Sequence, residues 1–408
     1  MGTCMQSRRK FIGNMATGLA GTLAAPNVLG AGARVRLGVI GMGARGSELL
    51  REALACPNTE CLGIADIYRK RVEEGAAIAP GAHLYGDYRQ LLEDGAIDAV
   101  IIATPPHLHA AQFVDAMEAG KHVYQERPMA FTVEDARRMR AAFLAHGIEG
   151  TRKLTVQIGH QNCSSGQLTD AAAFSHPELL GKITAIRAHF FRNTPRNKPQ
   201  WVRPLYPDMA AENVAWAAFL GGAPAREFDA NRYQNWRLFS DYSGGSVTEN
   251  FSQQMAFWYR LFGFEIPYAV TMTGGLYLWK DGREVPDTMH VSMEQPEELL
   301  ISWDSGFGNG QLGVAEEVLG THGSISRGQQ IRYTPQKVNR PEGNEMAGAT
   351  RTAPRAHMQN FLDSIRGSAQ PNCPFEVGYR VSIACRMAIE SYRQQRTILW
   401  DAAAQEIV

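Results

Sequence analysis

A short apolar run, Val35-Arg36-Leu37-Gly38-Val39-Ile40, ends on Gly41-Met42-Gly43-Ala44-Arg45-Gly46, and a segment with helical spacing follows at once. Few arrangements satisfy that order. A buried strand must stop, turn tightly on glycine and enter a helix, as in the first unit of a doubly wound α/β sheet. A second strand-like run, "ECLGIAD", ends on Asp66, twenty residues beyond Gly46. Glycine spacing alone also marks plain turns. With a strand before it, a helix after it and an acid at the next strand end, it predicts a dinucleotide site. Gly41 permits the turn, Gly43 lets the main chain approach a pyrophosphate, and Gly46 lets helix and strand pack closely. The N–H groups around Met42, Ala44 and Arg45 supply the positive end of the helix dipole. Asp66 is expected to accept hydrogen bonds from the adenosine ribose and to repel a 2′-phosphate. That favours NAD, while nearby Arg69 leaves NADP open.

The alternation continues through "YRKRVEEGAAIA", "YRQLLEDG", "IDAVIIATP", "HAAQFVDAMEAG" and "KHVYQE" to "KLTVQIG", with Gly120 as a helix stop. Thr132 and Asp135 have the spacing of a capping box for the helix that follows them. The pattern predicts a parallel sheet over 34–160. Ligands of such sheets lie beyond the carboxyl ends of the strands. Here those ends converge Gly41–Gly46, Asp66, Thr104 with Pro105, Glu126 with Arg127, and His160. Thr104, Pro105, His109 and Glu126 are therefore expected at the cofactor. His107 and His109 also suit a helix N-terminus that merely meets solvent. His160 serves either acid–base chemistry or structural hydrogen bonding.

Over 161–408 the pattern changes to "ITAIRAHFF", "AVTMTGGLYLW", "HVSMEQ", "ELLISWD" and "GQLGVAEEVLGTHGSISR", which suit a mainly antiparallel open sheet. A polar loop is expected near 335–355, and two helices close the chain. Arg192, Trp201, Trp236 and Arg237 come from a Trp- and Arg-rich stretch. Aromatic faces beside guanidinium donors suit a carbohydrate, and equally a packed core.

The first 33 residues differ in kind. Arg8-Arg9 precedes a short Gly- and Ala-rich apolar stretch and then Ala31-Gly32-Ala33. That order predicts a twin-arginine export signal and a periplasmic or secreted protein. The stretch is too short and too weakly apolar for a stable membrane span. The 41 basic and 41 acidic residues balance, with no like-charge run, so no nucleic-acid partner is expected. Six cysteines lack metal-ligand spacing, so no metal is expected. Cys56 and Cys61 would permit a disulfide, but buried thiols fit as well.

"GVIGMGARG", "ADIYRKR", "AVIIATPPHLHA", "GKHVYQERP" and the C-terminal "NFLDSIRG…YRVSIACRMAIES…ILWD" together resemble the Gfo/Idh/MocA oxidoreductases from about residue 35 to 401. The resemblance implies a Rossmann domain, an open-sheet substrate and oligomerisation domain, NAD(P), and a sugar or polyol substrate. C-terminal helices packing back on the Rossmann domain and a homo-oligomer are expected with it. It also exposes two departures. The family's Glu-Lys-Pro reads Glu126-Arg127-Pro128, and its later histidine aligns with Gln253. Arginine holds its proton and an amide cannot act as a base. Arg127, His160, Glu249 and Gln253 remain the catalytic candidates. Three functions follow: an exported oxidoreductase acting on a sugar by hydride transfer with a tightly held cofactor, a redox-neutral NAD-dependent glycosidase-like enzyme, or a non-catalytic NAD- or glycan-binding protein.

Overall fold

The computed structural model describes residues 30, 32–351 and 355–408. The export-signal segment lies outside the described residues apart from its last few. The first sheet contains β1 (Val35–Ile40), β2 (Thr59–Ala65), β3 (His83–Tyr85), β4 (Ala99–Ile102), β5 (His122–Gln125) and β6 (Val156–Ile158). Their spatial order is β3-β2-β1-β4-β5-β6, and every pairing is parallel. The order reverses between β1 and β4, so a crevice opens beyond Ile40 and Ile102. Val39 lies opposite Ile64 on one side and Ile101 on the other, which makes β1 the buried centre. The edge strand β3 lacked a sequence signal because its three residues are half to fully exposed.

Helices Ala44–Leu54, Arg69–Ile78, Tyr88–Glu93, His109–Glu118 and Val133–His146 join these strands. The last begins with both halves of the Thr132–Asp135 capping box, and Gly120 ends its predecessor at φ 76°. Leu49, Leu50 and Ala53 pack with Met358, Phe361, Leu362 and Ile365 of the helix Arg355–Ile365. The C-terminal part of the chain therefore covers one face of the first sheet.

The second sheet has ten strands in the order β14-β13-β12-β11-β7-β10-β9-β8-β15-β16. Its centre is β7 (Ile183–Phe191), parallel to β10 (Leu299–Gly306) and antiparallel to β11 (Val314–Gly320). β8 (Ala269–Gly275) and β9 (Thr288–Gln295) extend one side, and β15 (Ile398–Asp401) with β16 (Glu406–Ile407) closes it. The expected single segment over 310–327 is a hairpin of β11 and β12 (Gly323–Arg327). The expected loop at 335–355 is a correction. It contains β14 (Met346–Thr350), which pairs with β13 (Gln330–Pro335) through Tyr333 and Met346. That strand forms by edge pairing rather than by an apolar alternation of its own.

One helix, Ser252–Phe262, lies on this sheet and carries the site's Gln253. A buried ion pair locks it there. Glu316 Oε1 takes Arg327 Nη1 at 2.6 Å and Gln254 Nε2 at 3.2 Å, and the Arg327 guanidinium sits 4.0 Å over Phe257. Among the described residues Cys61, Cys163, Cys373 and Cys385 are free thiols, so Cys56 and Cys61 form no disulfide with each other. No described helix is long and apolar enough to cross a membrane, and no group of three described His, Cys, Asp or Glu residues could hold a metal ion.

Candidate functional site

The glycine turn sets the crevice. Gly41 has φ 93°, a left-handed conformation that a side chain would strain. A Cβ at Gly46 would fall on the carbonyl oxygen of Gly41. Gly43 is different: its φ of −61° suits any residue, and a Cβ there would meet nothing nearer than Arg71 Nη1 at 3.9 Å. Its missing side chain leaves space above the N-terminus of the helix Ala44–Leu54, which no side chain caps. Unsatisfied N–H groups facing open space are what a diphosphate requires.

Asp66 closes the second strand and is almost fully buried. Its Oδ2 accepts the Met42 N–H at 2.7 Å and its Oδ1 accepts the Tyr68 N–H at 2.9 Å. Each oxygen retains acceptor capacity for a ribose hydroxyl. Tyr233 Oη lies 3.5 Å away. Arg69 points outward and pairs with Glu73, so it is not the guanidinium near Asp66. That guanidinium belongs to Arg71, which donates to Tyr233 Oη at 3.0 Å and Gln234 Oε1 at 2.7 Å.

These groups line a cavity of about 590 Å³, within the range of small-molecule sites. Gly41, Gly43, Ala44, Arg45, Asp66, Thr104 and Pro105 border it, as do Trp236 and Arg237. Met42 is a correction: it does not line the cavity, since its side chain is buried in the core and its N–H is held by Asp66. His109 is a correction. It is fully buried, with Nδ1 2.8 Å from Pro128 O and Nε2 2.8 Å from Thr104 O. It braces two strand-end loops and does not face the crevice. Arg192 and Trp201 are corrections of the same kind. Arg192 lies over Phe190, and Trp201 packs edge-on against Phe307, both away from the cavity lining.

The catalytic candidates lie beside this cavity as one polar cluster. Glu126 Oε1 accepts from Arg45 Nε at 2.6 Å and Oε2 accepts from the Arg127 N–H at 2.6 Å. Burial pushes its pKa up, but the charges of Arg45 and Arg127 outweigh that and hold it below the ordinary value. Glu249 lies on a π-helical turn, Val247–Phe251, that leads into the Ser252–Phe262 helix. Its carboxylate stands 3.2 Å from Arg237 Nε and 3.8 Å from Arg127 Nη1, and its carbonyl accepts from Arg127 Nη1 at 2.7 Å. His160 Nδ1 is 3.2 Å from Gln253 Oε1, while its buried Nε2 has no partner among the described residues. Burial first, then the charge of Arg127, pushes its pKa down to about 3. The ring is therefore a neutral hydrogen-bonding group and a weak base.

A segment of the second domain, 201–242, covers the crevice. Tyr68 bridges to Val214, Tyr68 Oη donates to Asp208 at 2.8 Å, and His107 Nε2 lies 2.6 Å from Phe219 O. Tyr68 joins Phe219, Tyr233 and Tyr242 in a local apolar cluster. Sequence reasoning missed Arg71, Arg203, Tyr233 and Gln234 as lining residues. No periodicity shows that a distant loop folds over the first sheet.

Residues 35–148 match the Gfo/Idh/MocA family model described as "Oxidoreductase family, NAD-binding Rossmann fold". This part of the chain is an NAD-binding Rossmann domain. An inositol 2-dehydrogenase/D-chiro-inositol 3-dehydrogenase of Shouchella clausii is 33% identical over 38% of this chain and 43% of its own. A glycosyl hydrolase family 109 protein of Streptomyces filamentosus is 33% identical over 36% of this chain and 31% of its own. The chain thus spans less than half the length of these curated relatives. The WlbA dehydrogenase from Bordetella pertussis, solved with NADH and UDP-GlcNAcA, superposes with a TM-score of 0.66. That match covers 90% of this chain and 99% of the other at 18% identity. At that identity the likeness shows the two-domain fold.

Proposed function

We propose that the protein is an NAD-dependent oxidoreductase acting on a sugar or sugar derivative. The observation that carries this reading is the junction at Arg237. This residue lines the dinucleotide cavity and also pairs with Glu249, so the cofactor space and the catalytic cluster share one wall. NAD would be held by the Gly41–Gly46 turn, Asp66 and the Thr104 loop, and when bound it would supply a hydride acceptor. The residues of the chain then orient the sugar and move its proton. Arg127 stays charged and can polarise a hydroxyl oxygen but cannot take its proton. Neutral His160 can donate or accept a hydrogen bond. Proton acceptance is assigned in this reading to Glu249, the carboxylate flanked by the Arg127 and Arg237 guanidiniums. Trp236, with Arg237 stacked 4.1 Å over its ring, offers an aromatic face and donors suited to a carbohydrate.

A redox-neutral glycosidase-like cycle is the second reading. The enclosure of the crevice by 201–242 supports it, because a cofactor that stays bound must return to its starting state. The similarity to glycosyl hydrolase family 109 proteins points the same way. Export through the twin-arginine route and homo-oligomer formation belong to the same proposal. The experiment is a sugar panel followed at the absorbance of reduced nicotinamide, with product release analysed in parallel. Net accumulation of reduced cofactor supports the dehydrogenase. Leaving-group release without it supports the redox-neutral cycle. Neither signal, with any sugar or glycoside tested, contradicts both and leaves a binding protein.

A further inference from the structure

The chain as a whole is neutral, yet the cavity is not. Five arginines line it against three carboxylates. Three of those arginines, Arg71, Arg203 and Arg237, lie near one another in its wall. Two are accounted for. Arg237 pairs with Glu249, and Arg71 is fixed by Tyr233 and Gln234, partners that hold it without cancelling its charge. Arg203 is not. Among the described residues its guanidinium makes no hydrogen bond and no ion pair.

Its main chain, however, is pinned. Asn235 is buried and grips residue 203 on both sides: Oδ1 accepts the Arg203 N–H at 2.8 Å, and Nδ2 donates to the Arg203 carbonyl at 3.2 Å. A rigid anchor under a long, unpartnered cation is built to present that cation. Like charges surround it as well. Arg203 is solvent-exposed at the cavity wall; partial desolvation, and then the guanidiniums of Arg237 and Arg71, lower its pKa, which makes this stretch of wall attractive to an anion.

The position identifies which anion. Arg71 Nη1 reaches the open space over Gly43, on the uncapped end of the Ala44–Leu54 helix. A diphosphate seated there is met by main-chain N–H groups on one side, and on the other by Arg71 of the Arg69–Ile78 helix and by Arg203, which the covering segment brings in. We infer that Arg203, set by Asn235 and assisted by Arg71, clamps the cofactor's diphosphate from the second domain, so that the dinucleotide is held across both domains. This rests on the dinucleotide reading above. Arg203 acts as a binding residue with no part in proton or hydride transfer.

The test is calorimetric binding of NAD, ADP-ribose and adenosine to the full-length protein and to Arg203→Ala, at low and moderate salt. Arg203 has no side-chain partner to lose, so the variant should unfold at the wild-type temperature. The clamp predicts a loss of ten- to a hundred-fold for NAD and ADP-ribose and no change for adenosine, with a shallower salt dependence in the variant. Equal affinity of both proteins for NAD and ADP-ribose would overturn it. So would an equal loss for adenosine, which lacks the diphosphate. If the wild type bound neither NAD nor ADP-ribose, the dinucleotide reading would fall first, and the clamp with it.

Discussion

Besides His109 and His122, which are also buried, three imidazoles are withdrawn from water: His160 and His357 fully, His107 in part. Burial pushes His160 down to about 3, and His107 and His357 to about 4. In the unfolded chain they take up protons near pH 6.5. Between that value and about pH 4 the unfolded state binds more protons, so stability rises with pH through this window and is lost as pH falls. Each tenfold drop in proton affinity is worth about 1.4 kcal/mol, so the three together contribute on the order of several kcal/mol. Thermal melts across pH should show Tm falling steeply from about pH 6.5 to pH 4. A flat profile there would contradict the buried, neutral assignment. At this scale Asp66 was legible because its place in the motif is fixed. Arg71 was not, since nearby Arg69 has the same chemistry and only the helix phase decides which one faces inward.

Helices and central strands were readable where local chemistry agrees with burial. Thr132 and Asp135 show this directly, because both hydrogen bonds of the capping box form. Replacing Thr132 by Ala leaves the Asp135 N–H without its acceptor and should cost about 1 kcal/mol. Chemical denaturation reads that loss, with Thr132→Ser expected to restore most of it. A variant as stable as wild type would mean the cap contributes nothing here. Edge strands β3 and β14 were harder to see, because they are short and take their hydrogen bonds from a neighbouring strand. The π-helical turn that presents Glu249 likewise has no local signature.

For the whole molecule, the two-domain α/β and α+β design was visible in the switch of period near residue 160. How the domains meet was not. The 201–242 segment reads as a loop rich in Trp and Arg, and it covers the crevice only because Tyr68, His107 and Ile67 offer it partners there. Two of the four expected sugar contacts, Trp236 and Arg237, border the shared cavity, whereas Arg192 and Trp201 serve the second domain's own packing. The cavity is therefore composite, lined by the glycine turn and by residues of the 201–242 segment.

The diphosphate seat on the glycine turn is the central claim, and Gly43 isolates it. Its φ suits any residue and its Cβ has room, so Gly43→Val should fold normally while filling the space the diphosphate needs. The measurement is an equilibrium titration of NADH by fluorescence on wild type and Gly43→Val, with melting temperatures compared. Tight binding by the wild type, at least about ten-fold weaker binding by the variant (about 1.4 kcal/mol) and an unchanged Tm are predicted. Equal NADH affinity in the two proteins would contradict the placement of the dinucleotide on this turn.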